Sequence, residues 1–491
     1  MSDDVSDAAA RNLPLRHSDE IQGDVLAGFR KDHETVVLLR FPDDPAPVRQ
    51  WLARLIPQLA TTRQVAAFNN DFSAARRNLA GTDPVGLRAT WVNLSLTYSG
   101  LKFLMGTEPF PDQTQDGVKA FVLGASARAD INGDGGESAP ERWLFGRADQ
   151  PVHAVLTVAS DSRELLEVRA SELRVAAAHG GLTVVFEQVG ATLPGDRKGH
   201  EHFGFKDGIS NPGVADFDRP DPDHPEQVAG KPGTRIVPAG EFVVGLPLLQ
   251  RPDPGLPEWA KNGSFQVVRR LAQDVPAWWA QVAAARRTLD QAGVELPVGS
   301  GAEWVAARAV GRWRSGASVA HNPNAEPPTK PGAPDDNLIS YADDKEGHTT
   351  PVFAHIRKTN PRDHFGPDHK VADTRRIIRR GIPYGQPFDP AAGPGHGPDA
   401  DRGLVFVAYM SDLAFQFEFL QSAWINNTGF PPPGQNGKDP VIGQDSDVNL
   451  KLDTVPDGKP LHFAQFVRTE GTIYAFAPAI STLRDLAQRR P

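Results

Sequence analysis

The segment HEHFGFKDGISNP, from His200 to Pro212, is the stretch around which the rest of the chain is organised. At its centre a single carboxylate, Asp207, stands between Gly204 and Gly208. The segment follows a β-like run at 182–187, and its glycines let the backbone turn sharply and approach a ligand closely. An isolated Asp-Gly pair is ordinarily a polar surface turn. A functional role for Asp207 therefore depends on partners elsewhere in the chain.

The composition is that of a globular protein with room for more than one domain. The chain has 491 residues, of which 39% are hydrophobic and 23% are charged, so it can bury a large core. Its net charge of -9 offers no basic field for nucleic acid or an anionic membrane. The absence of cysteine excludes disulfides, thiolate nucleophiles and iron–sulfur clusters. Because no signal-peptide pattern and no apolar run of membrane-spanning length occur, the sequence predicts a cytoplasmic protein.

The first half of the chain has the pattern of an antiparallel α+β domain. The run WVNLSLTY at 91–98 alternates apolar and polar residues, which predicts a half-buried strand. A long helix is predicted over 161–179, with Asp161 and Ser162 as capping candidates. No dinucleotide or P-loop glycine motif follows any strand, so nucleotide binding is not supported. Strands are predicted at 34–41, 91–98, 152–158 and 182–189, and helical spacing at 48–59 and 161–179.

The second half repeats this α+β character after an Asp- and Pro-rich stretch. We expect an N-terminal domain over 1–215 with a disordered tail at 1–17, a linker at 216–235, and a C-terminal domain over 236–491. Three long irregular segments, of a kind that often carries function, lie at 322–336, 385–403 and 429–445. Strands are predicted at 264–271 and 404–410, helices at 275–292 and 413–426, and a strand pair over 463–476 broken at Glu470-Gly471.

Two further segments contain candidate functional residues. PVFAHIRKTNPR at 351–362 places His355 after an apolar run, and RRIIRRGIPYG at 375–385 places Arg379 after two isoleucines. Each residue alone is better interpreted as structural, His355 as a satisfied core histidine and Arg379 as a solvated charge at a strand end. Their significance comes from their combination with the GFKDG motif.

Together these segments resemble the dye-decolorizing peroxidases, a family of haem enzymes with a G-x-x-D-G motif. The resemblance covers most of the chain and is closest to the larger members of the family. It implies an α+β fold of two ferredoxin-like halves, each an antiparallel sheet with helices packed on it, and haem b bound mainly in the C-terminal half. The matching segments are DEIQGDVL at 19–26, GFKDGISNP at 204–212, AHIRKTNPR at 354–362, IIRRGIPYG at 377–385 and GLVFVAYMSDLAFQFEFLQSAWINN at 403–427.

The resemblance implies that His355 is the proximal ligand of the haem iron. A haem iron needs one strong axial ligand, and the other imidazole nitrogen of such a ligand should donate to a carboxylate or carbonyl. Glu418 is the first candidate for that acceptor and Asp412 the second. On chemistry alone, His321 and His348 are rival ligands.

On the opposite side of the haem, the resemblance assigns proton transfer to Asp207 and charge stabilisation to Arg379. Peroxide must lose a proton from one oxygen and gain one on the other, which is general acid–base work. A permanently protonated guanidinium stabilises the charge that develops on the O–O bond; Arg380 is the competing assignment. Leu404 and Phe406 are expected to form the wall of this pocket. Because the unperturbed pKa of Asp is near ~3.9, we expect an acidic optimum for dye oxidation.

The resemblance implies a peroxidase that reduces hydrogen peroxide and oxidises dyes and other bulky aromatic or phenolic donors. Alternatives are a non-catalytic haem-binding or haem-delivery protein and a peroxide-independent oxygenase. The metal-pair interpretation of His200-Glu201-His202 is disfavoured because no H-E-x-x-H helix accompanies it. Arg269 or Arg270 could pair with a haem propionate, although a strand-end charge is equally plausible. The candidate electron-relay residues are Trp278, Trp279, Trp313, Tyr341 and Trp424.

Overall fold

The computed structural model describes residues 12–489 except 80, 113–114, 331–332, 390, 392, 394, 433 and 435. In the first half, four antiparallel strands pair in the order β2-β3-β1-β4. This is the strand order of a ferredoxin-like unit and confirms the predicted class. The strands are β1 His33–Arg40, β2 Thr90–Leu96, β3 Ala154–Ser160 and β4 Thr183–Ala191; the helices between them include Pro45–Leu55, Thr62–Asn78, Tyr98–Met105, Asp116–Leu123, Ala129–Asn132 and Arg163–His179.

Strand β2 is buried on both faces, so the half-buried strand predicted from its alternation is wrong in this respect. Val92, Leu94 and Leu96 face one core cluster, as expected. The polar side chains on the other face are buried too, and Asn93 Nδ2 donates to the hydroxyl of Tyr409 at 3.4 Å. Alternation predicted the two faces correctly, but not that the second half of the chain would cover the polar one.

The stretch predicted as a linker at 216–235 contains part of a small sheet. Gly213–Val214 (β5) and Gln227–Val228 (β6) both pair with Lys231–Val237 (β7). The backbone of β5 follows directly on the GFKDGISNP motif, so this sheet fixes the end of that motif. The division of the chain into domains at this stretch stays a prediction.

The second half forms another ferredoxin-like unit, with the order β10-β11-β8-β14 and with β9 also pairing with β11. The predicted strand break at Glu470-Gly471 is wrong, because both residues lie within β14, where the register shifts by a bulge. The strands are β8 Ser264–Gln273, β9 Ile378–Arg379, β10 Ile382–Tyr384, β11 Gly403–Met410, β12 Ser446–Leu452, β13 Val455–Phe463 and β14 Val467–Ala477. The helices are Val275–Gln291, Ala302–Val310, His355–Thr359, Lys370–Asp373, Ile480–Gln488 and two wide π-type stretches, Leu413–Glu418 and Leu420–Ile425.

The two units share one sheet. Strands β14 and β2 pair at Phe476 and Leu96, which joins the two four-stranded orders edge to edge. Residues of both units pack into common core clusters, so neither half buries its sheet alone. This arrangement holds segments from distant parts of the sequence in fixed positions around a cavity.

The N-terminal segment is ordered where the structure describes it. Residues 1–11 of the predicted tail lie outside the described residues, but Pro14–His17 form a short helix. Arg16 of this helix is buried and donates to Asn70 Oδ1 at 2.8 Å, so the prediction of disorder is wrong for 14–17. Among the described residues, no helix combines the length and apolar character needed to cross a membrane.

Candidate active site

A cavity of about 250 Å³ lies between the GFKDGISNP segment, one face of the β8–β11 strand pair, and the helix His355–Thr359. It brings together five of the predicted site residues, and does not include Glu418. Most of the lining belongs to the second half of the chain, while Asn132, Asp134 and residues 201–210 come from the first. The predicted site residues that line the cavity are Asp207, His355, Arg379, Leu404 and Phe406.

Asp207 and Arg379 form an ion pair in this cavity. Arg379 Nη1 donates to Asp207 Oδ1 at 2.6 Å, across 172 residues of sequence. The backbone N–H of Asp207 donates to the carbonyl of Gly199 at 2.9 Å, and Gly208 follows with a φ of +79°. Gly208 therefore adopts a backbone conformation that favours glycine, in agreement with the sharp turn expected from the motif. Both charged side chains keep about a third of their surface accessible, 34% for Asp207 and 30% for Arg379.

Asn211 joins the two segments that carry this ion pair, and it was not singled out from the sequence. Its Nδ2 donates to the carbonyl of Arg379 at 3.0 Å, and the N–H of Arg379 donates to Asn211 Oδ1 at 3.0 Å. The side-chain amide thus imitates a neighbouring strand and fixes the backbone of β9. The ISNP ending of the motif was the available signal, because an Asn side chain readily completes backbone hydrogen bonding.

The electrostatics of the pair keep Asp207 ionised. Burial would raise the pKa of Asp207, but the charge and hydrogen bond of Arg379, with a further bond from the Gly208 N–H, hold that pKa below its usual value. The carboxylate can accept a proton even in acid solution.

On the other side of the cavity, His355 is paired with Asp439. The imidazole Nδ1 and Asp439 Oδ2 are 2.7 Å apart, and the Asp439 side chain is completely buried. Asp439 Oδ1 accepts from the N–H groups of Val441 and Ile442 at 2.8 and 3.1 Å, so the carboxylate is held firmly. Burial lowers the pKa of His355, but the Asp439 charge and hydrogen bond outweigh it and the pKa is raised. The pair leaves Nε2 as the nitrogen able to bind a metal.

The prediction that Glu418 accepts the second nitrogen of His355 is wrong. Glu418 instead accepts from Arg128 Nε and Nη2 at 3.0 and 2.5 Å, and from the hydroxyl of Tyr474 at 3.1 Å. The π-type turn that carries it directs its side chain into the core rather than toward His355. Asp412, the second candidate, caps the following helix by accepting from Phe415 N at 2.8 Å.

The rival residues lie away from the cavity or have other partners. His355 is the only histidine among the described residues that line the cavity. His321 pairs with Asp336 at 2.7 Å and His348 with Asp453 at 2.9 Å. The described residues contain no cluster of three His, Asp or Glu side chains placed to hold a metal ion, which leaves the His200-Glu201-His202 alternative without support.

The rival arginines are engaged as well. Arg380 points away from the cavity and donates to the carbonyls of Asp24, Val25 and Leu26. Arg269 lines the cavity but is bonded to Asp134, and Arg270 pairs with Asp401 at 2.5 Å. Arg270 does not line the cavity, whereas Arg269 does and its buried Nη1 has no hydrogen-bond partner among the described residues, so the pairing of Arg269 with a propionate stays a prediction.

Leu404 and Phe406 alternate on β11 toward the cavity, while Val405 and Val407 face the core.

Among the five candidate relay aromatics, four are buried and Trp279 is partly exposed. Trp279 stacks on Phe205, which lines the cavity, at a ring distance of 6.5 Å. An aromatic contact therefore runs from the cavity to a partly exposed ring.

Comparisons with known proteins agree with this fold. A family model for the DyP dimeric alpha+beta barrel domain matches residues 20–194, and one for the C-terminal part of Dyp-type peroxidases matches residues 254–430. Dye-decolorizing peroxidase msp1 of Mycetinis scorodonius is 30% identical over 98% of this chain and 88% of its own length. An ancestral D-type dye decolorizing peroxidase has a solved structure with 33% identity, coverage of 96% of this chain and 99% of that chain, and a TM-score of 0.79.

A second solved structure, of a dye-decolorizing peroxidase in complex with 2,6-dimethoxyphenol, is 30% identical, covers 97% of this chain and 100% of that chain, and has a TM-score of 0.78. The fold and these relatives define a haem peroxidase. The chain belongs to the dye-decolorizing peroxidase family. It is an oxidoreductase acting on peroxide, which favours the peroxidase prediction over the haem-carrier alternative.

Proposed function

We propose that this peroxidase binds haem b in the described cavity with His355 as the axial ligand, and that Asp207 and Arg379 activate hydrogen peroxide on the opposite side. The observation that carries the proposal is that the Asp207–Arg379 ion pair and the His355 imidazole line one cavity, with His355 held by the buried Asp439. The Arg379 charge lowers the pKa of His355 and the Asp207 charge raises it, so both residues lie close enough to the imidazole to act on it.

The residues present fit a haem group. One imidazole with its Nδ1 engaged by a buried carboxylate is the donor arrangement that strengthens Nε2 as a metal ligand. The apolar walls formed by Leu404, Phe406 and Ile356 suit a flat hydrophobic macrocycle. The cavity also contains several arginines able to neutralise propionate groups: Arg312, Arg362, Arg375 and Arg376.

When bound, haem supplies the iron at which peroxide gives up its oxidising equivalents. Asp207 takes the proton from one peroxide oxygen and returns it to the oxygen that leaves as water. Arg379 stabilises the negative charge that develops as the O–O bond breaks, and it keeps Asp207 ionised between turnovers. Asn211 holds the backbone of Arg379, so the guanidinium reaches peroxide without a costly rearrangement.

We propose small phenols and dyes as the electron donors. The relative solved with 2,6-dimethoxyphenol supports phenols as one class. In this proposal haem occupies the cavity, so the electron of a bulky dye would enter at the cavity rim or through an aromatic side chain. The cytoplasmic location expected from the sequence stays a prediction.

The absorption spectrum of the purified protein, before and after addition of peroxide, tests this proposal. We expect the wild type to show a haem spectrum that changes within seconds of peroxide addition. His355→Ala should lose most of its haem or change its spectrum, because the axial ligand is missing. His348→Ala, which removes a histidine outside the cavity, is the matched control and should behave as the wild type. An unchanged spectrum in His355→Ala would contradict the ligand assignment.

A further inference from the structure

Glu201 is another carboxyl group that lines the cavity, six residues before Asp207. In the sequence it attracts notice only as the middle residue of a His-Glu-His run, and the peroxide mechanism does not use it. Its side chain is partly accessible and lines the same cavity as Asp207. Oε2 accepts from the N–H of Phe203 at 2.8 Å and from Gln273 Nε2 at 2.6 Å, and Oε1 accepts from the N–H of Phe205 at 2.8 Å.

These bonds fix where a proton on Glu201 must sit. A carboxylate has about four lone-pair positions, two on each oxygen. Both positions of Oε2 and one of Oε1 are occupied by the three donors. The remaining position is on Oε1, and the three groups bonded to Glu201, two backbone N–H groups and Gln273 Nε2, cannot accept a hydrogen bond from a protonated carboxyl. A proton on Glu201 is therefore free to be given to a molecule in the cavity.

A second observation at the same place comes from Gln273. Its side-chain Oε1 is buried and receives no hydrogen bond from the described part of the chain, and Gln273 also lines the cavity. The protonated Glu201 and the Gln273 carbonyl together offer one donor and one acceptor. Such a pair can bind a water molecule that carries a proton onward.

The charges around Glu201 separate it from Asp207. Its three hydrogen-bond donors are uncharged, whereas Asp207 has Arg379. Burial, with a smaller contribution from the nearby Asp207 charge, raises the pKa of Glu201 to about 7. The other titratable or charged groups on the surrounding elements are engaged elsewhere: His202 with the Tyr384 carbonyl, Lys206 with Asp335, Arg269 with Asp134, Arg314 with Glu303, and Arg402 with the Gln386 carbonyl.

We propose that Glu201 supplies protons to the distal side of the cavity, as the acid partner of the base Asp207, when the electron donor brings no proton of its own. Two carboxyl groups in different environments commonly divide acid and base roles in this way. Turnover obeys H2O2 + 2 H+ + 2 e− → 2 H2O. A phenol loses a proton with each electron and so provides both, whereas hexacyanoferrate(II) provides the electron alone. This inference rests on the proposed peroxide site.

The experiment measures turnover of the haem-loaded enzyme between pH 5 and pH 9 with hexacyanoferrate(II) and, separately, with 2,6-dimethoxyphenol. For the wild type with hexacyanoferrate(II), kcat should fall about tenfold from pH 6 to pH 8, as the protonated fraction of a group titrating near 7 declines. Glu201→Gln should lose this fall and should be about tenfold slower than the wild type at pH 6. With the phenol, the two proteins should differ less than about twofold. Glu258→Gln, at an exposed surface carboxyl, is the matched control.

Infrared difference spectra of wild type and Glu201→Gln provide a readout that does not depend on turnover. The band of a protonated carboxyl should disappear near pH 7 in the wild type and be absent in the variant. Glu201→Asp keeps a carboxyl group and should retain part of the pH dependence. This variant provides the test if Glu201→Gln folds poorly. An unchanged fall between pH 6 and pH 8 in Glu201→Gln would overturn the inference. Failure of the wild type to react with peroxide would instead overturn the proposed peroxide site.

Discussion

Two carboxylates at the cavity are paired over nearly the same distance but in different settings: Asp207 lines the cavity, whereas Asp439 is buried and reaches it only through His355. Asp207 and Arg379 are 2.6 Å apart and His355 and Asp439 are 2.7 Å apart. The first pair joins the two halves of the chain, and both of its side chains remain about one-third accessible. The second pair lies within the C-terminal half, and its carboxylate is completely buried. The Asp207 carboxylate is thus accessible to a ligand, while the Asp439 carboxylate is enclosed by the protein.

The largest effect should follow from removing the distal charge. Arg379→Leu should lower the rate of the peroxide reaction by about 10²–10³-fold, because the stabilising charge is lost. It should also raise the pKa of Asp207, since the cation that now lowers that pKa is missing. The acid limb of the pH profile should consequently move to higher pH. Stopped-flow mixing with peroxide measures both effects, and Arg163→Leu, a largely exposed arginine, is the control. A wild-type rate with an unshifted acid limb would show that Arg379 does not serve this site.

A smaller effect is expected on the proximal side, where the change acts through the imidazole. Asp439→Asn should keep haem but lower the peroxide rate about 10- to 100-fold and raise the reduction potential of the iron, because a neutral partner makes His355 a weaker donor. Glu418→Gln is the matched control, since Glu418 lies in the neighbouring helix but contacts Arg128 and Tyr474 instead. If Asp439→Asn and Glu418→Gln shifted the reduction potential of the iron equally, Asp439 would not be the carboxylate that acts on His355.

A weaker effect on the peroxide rate is expected from Asn211, which links the segments that carry Asp207 and Arg379. Asn211→Ala removes both hydrogen bonds to the Arg379 backbone and should slow the peroxide reaction about tenfold by loosening the guanidinium. The haem spectrum should remain that of the wild type, because Asn211 does not contact the proximal side. Combining Asn211→Ala with Arg379→Leu should add little to the effect of the latter alone. Additive losses would indicate that Asn211 acts independently of Arg379.

The last effect is on stability in acid rather than on the reaction rate, and it concerns the segment that leads into the GFKDG motif. His202 is buried, its Nε2 lies 2.8 Å from the Tyr384 carbonyl, and burial lowers its pKa to about 4. The unfolded chain takes up this proton near pH 6.5, so His202 contributes stability above that pH, and the contribution is lost as the pH falls toward 4. The total is up to about 3 kcal/mol. His202→Gln should show a smaller fall in thermal midpoint between pH 7 and pH 4 than the wild type. An identical fall would place the acid sensitivity elsewhere.

The sequence was informative where a pattern is local. Apolar runs, together with alternation at 91–98, predicted the positions of the strands of both halves, and a motif match located Asp207, His355 and Arg379, which the structure brings into one cavity. Prediction from the sequence failed where tertiary structure decides the hydrogen-bond partner of a side chain. Asp439 lies in an irregular segment 84 residues from His355, and nothing in its surroundings indicates the contact. Glu418 was predicted as the partner of His355 because it lies in the helical segment after β11, but the π-type winding of that segment turns the Glu418 side chain toward the core.

The dependence on tertiary structure also explains why the predictions for β2 and for β14 were wrong. The polar face of β2 is buried because the second half of the chain covers it, which no local pattern can show. The bulge at Glu470-Gly471 resembles a strand end in sequence, since glycine usually interrupts a strand. Pairing with β8 on both sides of the bulge keeps β14 continuous.

The most direct measurement is the rate at which the haem spectrum changes on mixing with peroxide, for the wild type and for the double variant Asp207→Asn, Arg379→Leu. If the ion pair facing His355 handles the protons and charge of peroxide, the double variant should retain the wild-type resting spectrum and react at least about 100-fold more slowly at every pH tested. A double variant that reacts with peroxide as fast as the wild type would contradict the account.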